Sequence, residues 1–382
     1  MIRHRAITVV LAAMLALLQI PPTFGQGNGN GKGKGDGNTD PVVQLGEDLF
    51  KFETFGGNGR TCQTCHAFPT GTLNPLQISL LPANDPLFQL DAADTLGGNT
   101  FNRVLNNATI LVGIPMAANV SLVGSTDQTV FLPRGIPTMN NTAALDPVLM
   151  WDGRAPDLQE QALDAWIRHS EVGVLPTEDE LDAVAAFQQT LISEGQLRKL
   201  LNTGATPQLP VPKTPAQKRG FLFFTDDNPA NGNPIKGRCV HCHSGPMLNE
   251  TSPGTELIFG IPQGTRFISA FVSEFELGGG TPETYQFSLP GGGTTEVTST
   301  DPGRALITGD PADANAFKIP TIWGFQNTAP YFHNNGAADL DELMDHYQNY
   351  FNFVQDVLGV PNFGMTDEEK ADITAYMKLF GK

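Results

Sequence analysis

The pentapeptides Cys62-Gln-Thr-Cys65-His66 and Cys239-Val-His-Cys242-His243 decide the fold of this chain of 382 residues. They contain all four of its cysteines, and each places a histidine directly after the second cysteine. The C-x-x-C-H pattern is typical of a covalently attached c-type haem, in which two thiols bond to the vinyl groups and the histidine ligates the iron. The sequence therefore predicts two covalently bound haems, with His66 and His243 as proximal ligands.

Three other chemistries use paired cysteines. Two disulfides would suit an exported chain, but they do not explain a histidine after both pairs. A zinc site needs the two pairs close together, whereas these pairs begin 177 residues apart, at positions 62 and 239. A thioredoxin-like redox pair would need a βαβ context that the sequence lacks. Haem attachment is therefore the favoured interpretation.

The first 40 residues are predicted to lie outside the folded part of the chain. Residues 1–26 have the pattern of a signal peptide, with Arg3 and Arg5 ahead of the apolar run from Ala6 to Ile20. An uncleaved N-terminal anchor is the alternative. Residues 27–40 are rich in Gly, Asn and Lys and are predicted to form a flexible tether. We expect a periplasmic or otherwise exported protein with no membrane span after signal removal.

The composition excludes some classes of function. The chain is 40% apolar and 16% charged, with 41 Gly and 29 Pro, which predicts a globular protein with long loops. Its formal net charge is −17. Nucleic acid is not expected as a partner, because binding to phosphates needs clustered Lys and Arg.

The same order of elements occurs twice along the chain. Each motif is followed by a Gly- and Pro-rich stretch and then by an amphipathic helix, predicted over residues 178–194 and 367–380. Each helix begins with a capping box formed by a threonine and a glutamate three residues later, namely Thr177 with Glu180 and Thr366 with Glu369. The repeated order predicts two domains that each resemble a cytochrome c unit.

The boundary between these domains is predicted at the Pro-rich segment 209–215. We therefore expect a mainly α protein with long loops, whose two cytochrome c-like haem domains span residues 41–208 and 209–382. Residues 251–300 contain many Gly, Thr and Ser, and they are predicted to form a small β or loop insertion in the second domain.

Several segments together resemble the bacterial di-haem cytochrome c peroxidases, most closely their MauG-like branch. The segments are Leu49-Phe50, Gly56–His66, Pro137-Thr138, Trp151-Asp-Gly-Arg-Ala155, Glu160-Gln161-Ala162, Asp301-Pro-Gly-Arg304, Phe317-Lys-Ile-Pro-Thr321 and Thr328-Ala-Pro-Tyr-Phe-His333. Generic cytochromes c share only the cysteine motif, so the combination is specific. The resemblance implies that the N-terminal haem reacts with hydrogen peroxide and that the C-terminal haem handles electrons.

The resemblance also implies catalytic residues. Trp151 would lie between the haems and relay electrons. Gln161 and Glu171, ten and twenty residues later, match the residue types that the family places in the peroxide pocket. A carboxylate can move a proton between the two peroxide oxygens, and an amide can orient the peroxide. Taken alone, Glu171 would be interpreted as a surface acid and Trp151 as a core aromatic residue.

Histidines are scarce, which limits the axial ligands of the two irons. No histidine lies between His66 and His169. Many peroxidases of the family have a second histidine shortly after the first motif, which blocks the peroxide site until reduction. The resemblance therefore implies an open N-terminal iron, and we do not expect His169 to be a ligand.

For the C-terminal iron, the family takes the second ligand from the segment after His333. The resemblance favours Tyr347, fourteen residues after that histidine, with Met344 as the fallback. A helix over residues 340–351 would place both side chains on its apolar face and His346 off that face. The identity of this ligand would set the haem potential.

The chain departs from the family at several functional positions. Gly135 stands where many members have the asparagine that binds a calcium ion, so calcium remains an open alternative. Gly237 replaces the tryptophan through which MauG oxidises its protein substrate, and Trp323 is a substitute relay or a packing residue. Of the other histidines, we expect His333 to be a structural hydrogen-bonding group and His241 to be exposed.

Three functions follow from these patterns. The leading hypothesis is an exported peroxidase that reduces hydrogen peroxide at the N-terminal haem with electrons relayed from the C-terminal haem, its donor being a cytochrome c or a copper protein. The alternative is MauG-like, peroxide-dependent oxidation of side chains in a partner protein. A non-enzymatic two-haem electron carrier would explain the cysteine motifs but not the set Trp151, Gln161 and Glu171.

Overall fold

Helices and three small β-sheets form the regular structure in the computed structural model, which describes residues 40–225 and 237–381. The predicted signal peptide and residues 27–39 of the predicted tether lie outside the described residues. Asp40, the last residue of that tether, already caps the first helix by accepting a hydrogen bond from the amide of Val42. None of the described helices is long and apolar enough to cross a membrane.

The elements alternate between short helices, strands and long loops. The described α-helices are α1 (Pro41–Phe52), α2 (Cys62–Cys65), α3 (Pro75–Ser79), α4 (Asn102–Asn107), α5 (Thr142–Leu145), α6 (Leu158–His169), α7 (Glu178–Gln189), α8 (Gly195–Thr203), α9 (Pro215–Thr225), α10 (Pro253–Phe259), α11 (Ala305–Thr308), α12 (Leu340–Asp356) and α13 (Asp367–Met377). The described strands are β1 (Thr109–Pro115), β2 (Val120–Leu122), β3 (Thr129–Gly135), β4 (Phe267–Ile268), β5 (Glu283–Ser288), β6 (Thr294–Ser299) and β7 (Phe317–Lys318).

Two helix pairs repeat the same arrangement. Helix α1 packs on α7, and α9 packs on α13, so in each case the helix before a cysteine motif contacts the helix that closes the segment. Each crossing has a glycine at its centre. A Cβ on Gly46 would collide with the carbonyl oxygen of Ala183, and a Cβ on Gly220 would collide with that of Asp372. The absent side chains therefore let each pair of backbones approach closely.

Both predicted capping boxes are present, and they start α7 and α13 at the expected residues. The predicted end of the first of these helices was wrong, because α7 stops at Gln189 rather than at residue 194. Beyond that point Leu191 turns to accept a hydrogen bond from the amide of Asn141. Gly195, the residue after the predicted end of this helix, begins α8.

Strands from distant parts of the chain share a sheet. Strands β1 and β3 form one antiparallel pair, and β4 pairs with β7. The hairpin β5–β6 lies within residues 251–300, and β5 also pairs with β2, which comes from the first half of the chain. The predicted boundary at residue 208 and the interpretation of residues 251–300 as an insertion stay predictions.

Apolar side chains form three buried clusters in the described part of the chain. One lies between α1, α6 and α7, and includes Phe50, Trp166 and Phe187. A second surrounds β1, β3 and β5 and combines residues from both halves, such as Ile114 and Phe287. The third and largest packs α9, α12 and α13 together. Each helix pair therefore has its own core, and the sheet region lies on residues of both halves.

The glycine crossings give a test of the fold. We expect Gly46→Ala and Gly220→Ala each to lower the free energy of unfolding by about 1–3 kcal/mol, because the methyl group forces the packed backbones apart. Gly195→Ala is the matched control, since it is also a helical glycine but has no atom within 4 Å of an added Cβ. Urea unfolding of the three variants measures the difference, and equal stability of all three would contradict close packing at the crossings.

Candidate active site

The first cysteine motif forms a single helical turn. Thr61 and Thr64 make a capping box at its start, and the amide of His66 donates to the carbonyl of Cys62 at 2.9 Å. The imidazole Nδ1 of His66 lies 2.9 Å from the carbonyl oxygen of Gly71. Because a carbonyl only accepts, Nδ1 carries the proton and Nε2 keeps its lone pair.

The second motif repeats this geometry. Cys239–His241 form a 3-10 turn, and the amide of His243 donates to the carbonyl of Cys239 at 2.8 Å. The Nδ1 of His243 lies 2.8 Å from the carbonyl oxygen of Leu248, again five residues downstream. Burial lowers the pKa of both histidines, His66 and His243, which favours the neutral imidazole. A neutral imidazole whose Nδ1 is held by a carbonyl is the form that ligates a haem iron through Nε2.

The state of the four thiols bears on whether they form disulfides, act as reactive thiolates, bind a metal ion or attach haem. All four cysteines are free of disulfides. Burial raises the pKa of Cys65 to about 11 and that of the other three thiols to about 12, which disfavours reactive thiolates. Among the described residues, no group of three or more His, Cys, Asp and Glu side chains could hold a metal ion. Two thiols and one neutral histidine per motif fit a covalently bound haem c.

The candidate second ligands lie on α12 near the second motif. The pKa of Tyr347 is raised by burial and further by the neighbouring Cys242 and Cys239. Met344 is buried in the same core. The sequence analysis missed Tyr350, whose pKa is raised well above its usual value by burial and by Cys242. Two tyrosines of α12 therefore lie near the second motif.

Two expectations about histidines were wrong. His346 was expected to lie off the apolar face, but it is buried, and its Nε2 lies 2.8 Å from the carbonyl oxygen of Ala270. The segment that follows β4 covers this side of α12, which helical periodicity does not reveal. His241 was expected to be exposed, but it is only 2% exposed and packs against Phe259 and Phe363.

The predicted peroxide-pocket residues lie along and just beyond α6. Gln161 is half-buried and lies about two turns before the end of this helix. Glu171 follows the helix, is exposed, and accepts a hydrogen bond from the side chain of Asn58 at 3.3 Å. His169 ends the helix, and its Nδ1 lies 2.6 Å from a carboxylate oxygen of Asp91. The catalytic roles of Gln161 and Glu171 stay predictions.

Trp151 lies where three of the motif segments meet. Its indole N–H donates to the carbonyl of Gly135 at 3.0 Å, and the amide of Gly135 donates to the carbonyl of His333 at 2.7 Å. The carbonyl of Trp151 accepts a hydrogen bond from the amide of Lys318 at 2.8 Å. The tryptophan is half-buried and held at both its ring and its backbone.

A buried ionic cluster includes Asp152, the residue that follows this tryptophan. Arg134 contacts Asp152 at 2.5 Å and makes two hydrogen bonds, of 2.8 and 3.0 Å, to Asp301. Arg154 contacts both carboxylate oxygens of Asp152. Burial opposes ionisation of Asp152, but Arg134 and Arg154 outweigh it and lower the pKa of this carboxyl group. Two arginines and two aspartates thus balance each other's charges in the interior.

His333 stacks flat on Phe317, with ring centroids 3.6 Å apart. It is 3% exposed, and burial lowers its pKa to about 3. Its Nε2 has no hydrogen-bond partner and lies 3.9 Å from a carboxylate oxygen of Asp301. A buried nitrogen without a partner is uncommon in folded proteins. The expected structural role of His333 stays a prediction.

The structure also shows the surroundings of Gly135 and Trp323, two positions at which this chain departs from the family pattern. The side chain of Asn335 fills the space in front of Gly135, where a larger residue would collide with it. Calcium binding near Gly135 therefore stays a prediction. Trp323 is buried, donates its indole N–H to the carbonyl of Pro246 at 3.0 Å, and packs against Phe380. It contacts the loop that follows the second motif, which is consistent with packing and with a relay.

With its two motifs, this chain has the donor sets of a di-haem c-type protein. Residues 40–193 match the family model described as di-haem cytochrome c peroxidase. The predicted resemblance to that family is therefore confirmed, and the family implies two haem c cofactors. The structure supports two haem sites, because the histidine of each motif has its Nδ1 held by a backbone carbonyl.

Several curated proteins are similar to this chain. It is 25% identical over 228 residues to a cytochrome c551 peroxidase of Nitrosomonas europaea, covering 56% of this chain and 58% of the relative. It is 26% identical over 308 residues to the cytochrome-c peroxidase IdrP2 of Denitromonas iodatirespirans, covering 80% and 73%. It is 24% identical over 274 residues to the methylamine utilization protein MauG of Methylophilus methylotrophus, covering 64% and 67%. A solved MauG-like protein associated with microbial copper homeostasis shares 20% identity at a TM-score of 0.48, covering 90% of this chain and 88% of that one.

The ionic cluster gives a second test. Arg134→Met would leave Asp301 buried without its guanidinium, so we expect a loss of about 3–5 kcal/mol in the free energy of unfolding. Arg168→Met is the matched control, because its ion pair with Asp164 is 40% and 43% exposed and contributes less than about 1 kcal/mol. Urea unfolding measures both variants. A loss at Arg134 no larger than the loss at Arg168 would contradict a buried, charge-balanced cluster.

Proposed function

We propose that this chain is an exported di-haem c peroxidase that reduces hydrogen peroxide with electrons from a cytochrome c or a copper protein. The family match and the relatives named cytochrome c peroxidases support this function. The observation that carries it is the position of Glu171, which is held against the loop leading into the first cysteine motif. When bound, the haems would supply an iron that takes up peroxide oxygen and the one-electron steps.

His66 and His243 are the residues that would ligate the two irons, and the four cysteines would form the thioether bonds. Tyr347 would be the second ligand at the C-terminal site, with Met344 as the fallback. The position of Tyr347 on α12, near the thiols of the second motif, supports this assignment. Because no histidine occurs between His66 and His169, the N-terminal iron would keep an open position.

Reduction of one hydrogen peroxide to two waters consumes two protons and two electrons, so a side chain must move a proton onto the leaving oxygen. We assign this step to the carboxylate of Glu171, which takes the proton from one peroxide oxygen and delivers it to the other. Its exposure allows it to exchange protons with solvent. The amide of Gln161 would orient the peroxide by donating a hydrogen bond.

Electrons would pass between the two halves of the site through Trp151. Its indole is fixed by hydrogen bonding to Gly135, and its backbone by Lys318, so the ring has little freedom to move. The neighbouring cluster of Arg134, Arg154, Asp152 and Asp301 contains two positive and two negative charges, so it places no net charge beside the ring. A rigid aromatic ring in a neutral environment suits rapid electron transfer.

A second function is favoured by the position of Tyr347. A phenolate ligand stabilises oxidised iron, which suits a site that stores an oxidising equivalent rather than only passing electrons. In that case the reductant would be a side chain of a partner protein, as in MauG-like oxidation. Gly237 lacks the tryptophan through which MauG acts, so any exit route would differ from that of MauG.

Substitution of Glu171 tests the peroxidase function. We expect Glu171→Gln to lower kcat/KM for hydrogen peroxide by about 10²–10⁴-fold, because the amide cannot accept the proton. Glu178→Gln, at an exposed glutamate that starts α7, is the matched control. Peroxide consumption with the dye ABTS as electron donor measures both variants after their haem content has been equalised. A loss in Glu171→Gln of less than threefold, equal to the control, would contradict the assignment.

A further inference from the structure

The loop Gly57–Arg60 leads directly into the first cysteine motif. It packs against the end of α6 and is hydrogen-bonded to it. A Cβ on Gly57 would collide with the carbonyl oxygen of Ser170, so the two backbones are in close contact. The amide of Asn58 donates to that same carbonyl at 2.9 Å. Contact between segments 112 residues apart fixes the end of α6 relative to the motif.

Asn58 binds three consecutive residues at this point. Its backbone amide binds Ser170, and its side-chain Nδ2 lies 3.0 Å from the carbonyl oxygen of His169 and 3.3 Å from Oε2 of Glu171. Its side-chain oxygen accepts a hydrogen bond from the amide of Arg60 at 3.2 Å. The amide is therefore oriented from both ends, with its N–H groups facing the chain that carries Glu171.

Glu171 itself adopts an unfavourable backbone conformation. Its φ of 49° lies in the left-handed region, which glycine adopts readily and a glutamate does not. Such a conformation persists only where neighbouring contacts hold it, and these residues are frequent at functional sites. Asn58 contributes one of the contacts that hold it here, through its hydrogen bond to the Glu171 carboxylate.

The charged groups around this point are fixed as well. Arg60 is almost completely buried and donates to the carbonyls of His169, Pro86 and Leu87. It also pairs with Asp91 at 2.7 Å, whose other carboxylate oxygen binds His169. The titratable groups that join this loop to the end of α6 are thus His169, Asp91 and Arg60. Asp91 and Arg60 balance each other, which leaves Asn58 as the polar group bound directly to the carboxylate.

We propose that Asn58 is a positioning residue that orients the carboxylate of Glu171, so that it accepts the proton from peroxide. This inference rests on the proposed function of Glu171. An N–H donor to a carboxylate favours the charged state, and a second carboxylate in its place would disfavour it.

Two substitutions of Asn58 separate orientation from charge. Asn58→Ala removes the donor, and we expect it to lower kcat/KM for hydrogen peroxide about tenfold. Asn58→Asp keeps the shape but adds a carboxylate, so we expect the acid limb of the pH–rate profile to move upward by about one pH unit. Asn102→Asp is the matched control, because the amide of Asn102 also binds an exposed carboxylate, that of Asp94, at 2.9 Å.

A binding measurement gives a readout that does not depend on turnover. Fluoride binds an open ferric haem together with a proton, so the pH dependence of its affinity reports the ionisation of a nearby acid. We expect this dependence to shift upward in Asn58→Asp and to be unchanged in Asn102→Asp, with both holoproteins keeping two haems. Thermal unfolding identifies any variant that has simply lost stability.

The outcomes separate this inference from the proposed function. If Glu171→Gln is impaired while both Asn58 variants match the control in pH profile and fluoride binding, the positioning role of Asn58 is wrong. If Glu171→Gln is itself unimpaired, the proposed function of Glu171 fails first. Equal shifts in Asn58→Asp and Asn102→Asp would mean a general effect of added charge and would also overturn the inference.

Discussion

The pairing of Arg134 with two buried aspartates is the interaction on which the central part of the structure depends. Its guanidinium joins the end of β3 to the Trp151 loop through Asp152 and to the segment before α11 through Asp301. Isolated charges at such depth would be strongly unfavourable, so both aspartates require the guanidinium of Arg134, and Arg154 supplies the second positive charge. The contacts therefore fix three segments that are distant in sequence around one tryptophan.

The helix pairs α1–α7 and α9–α13 depend on a simpler constraint, which occurs once in each pair. A glycine at each helix crossing brings two backbones together, and a short turn then presents two thiols and a histidine whose Nδ1 is held by a carbonyl. The two halves of the chain differ in the residues that lie near each cysteine motif. Tyrosines on α12 lie near the second motif, whereas the loop of Asn58 and the end of α6 lie beside the first. The same framework thus supports two sites of different chemistry.

Local signals in the sequence predicted part of this arrangement well. The capping boxes gave the starts of α7 and α13, because a threonine and a glutamate three residues apart satisfy nearby amides without tertiary help. Burial of His241 and His346 was missed, because loops distant in sequence cover them. The contact of Asn58 with Glu171 joins residues 113 apart, so no local pattern indicates it.

The most direct test is low-temperature EPR of the fully ferric protein, matured with a working cytochrome c assembly system. One high-spin signal and one low-spin signal of equal intensity are expected, since the first iron would keep an open position and the second would have histidine and tyrosine ligands. Two low-spin signals would contradict this, because a second ligand would then close the first iron. No haem signal would contradict haem attachment at both motifs.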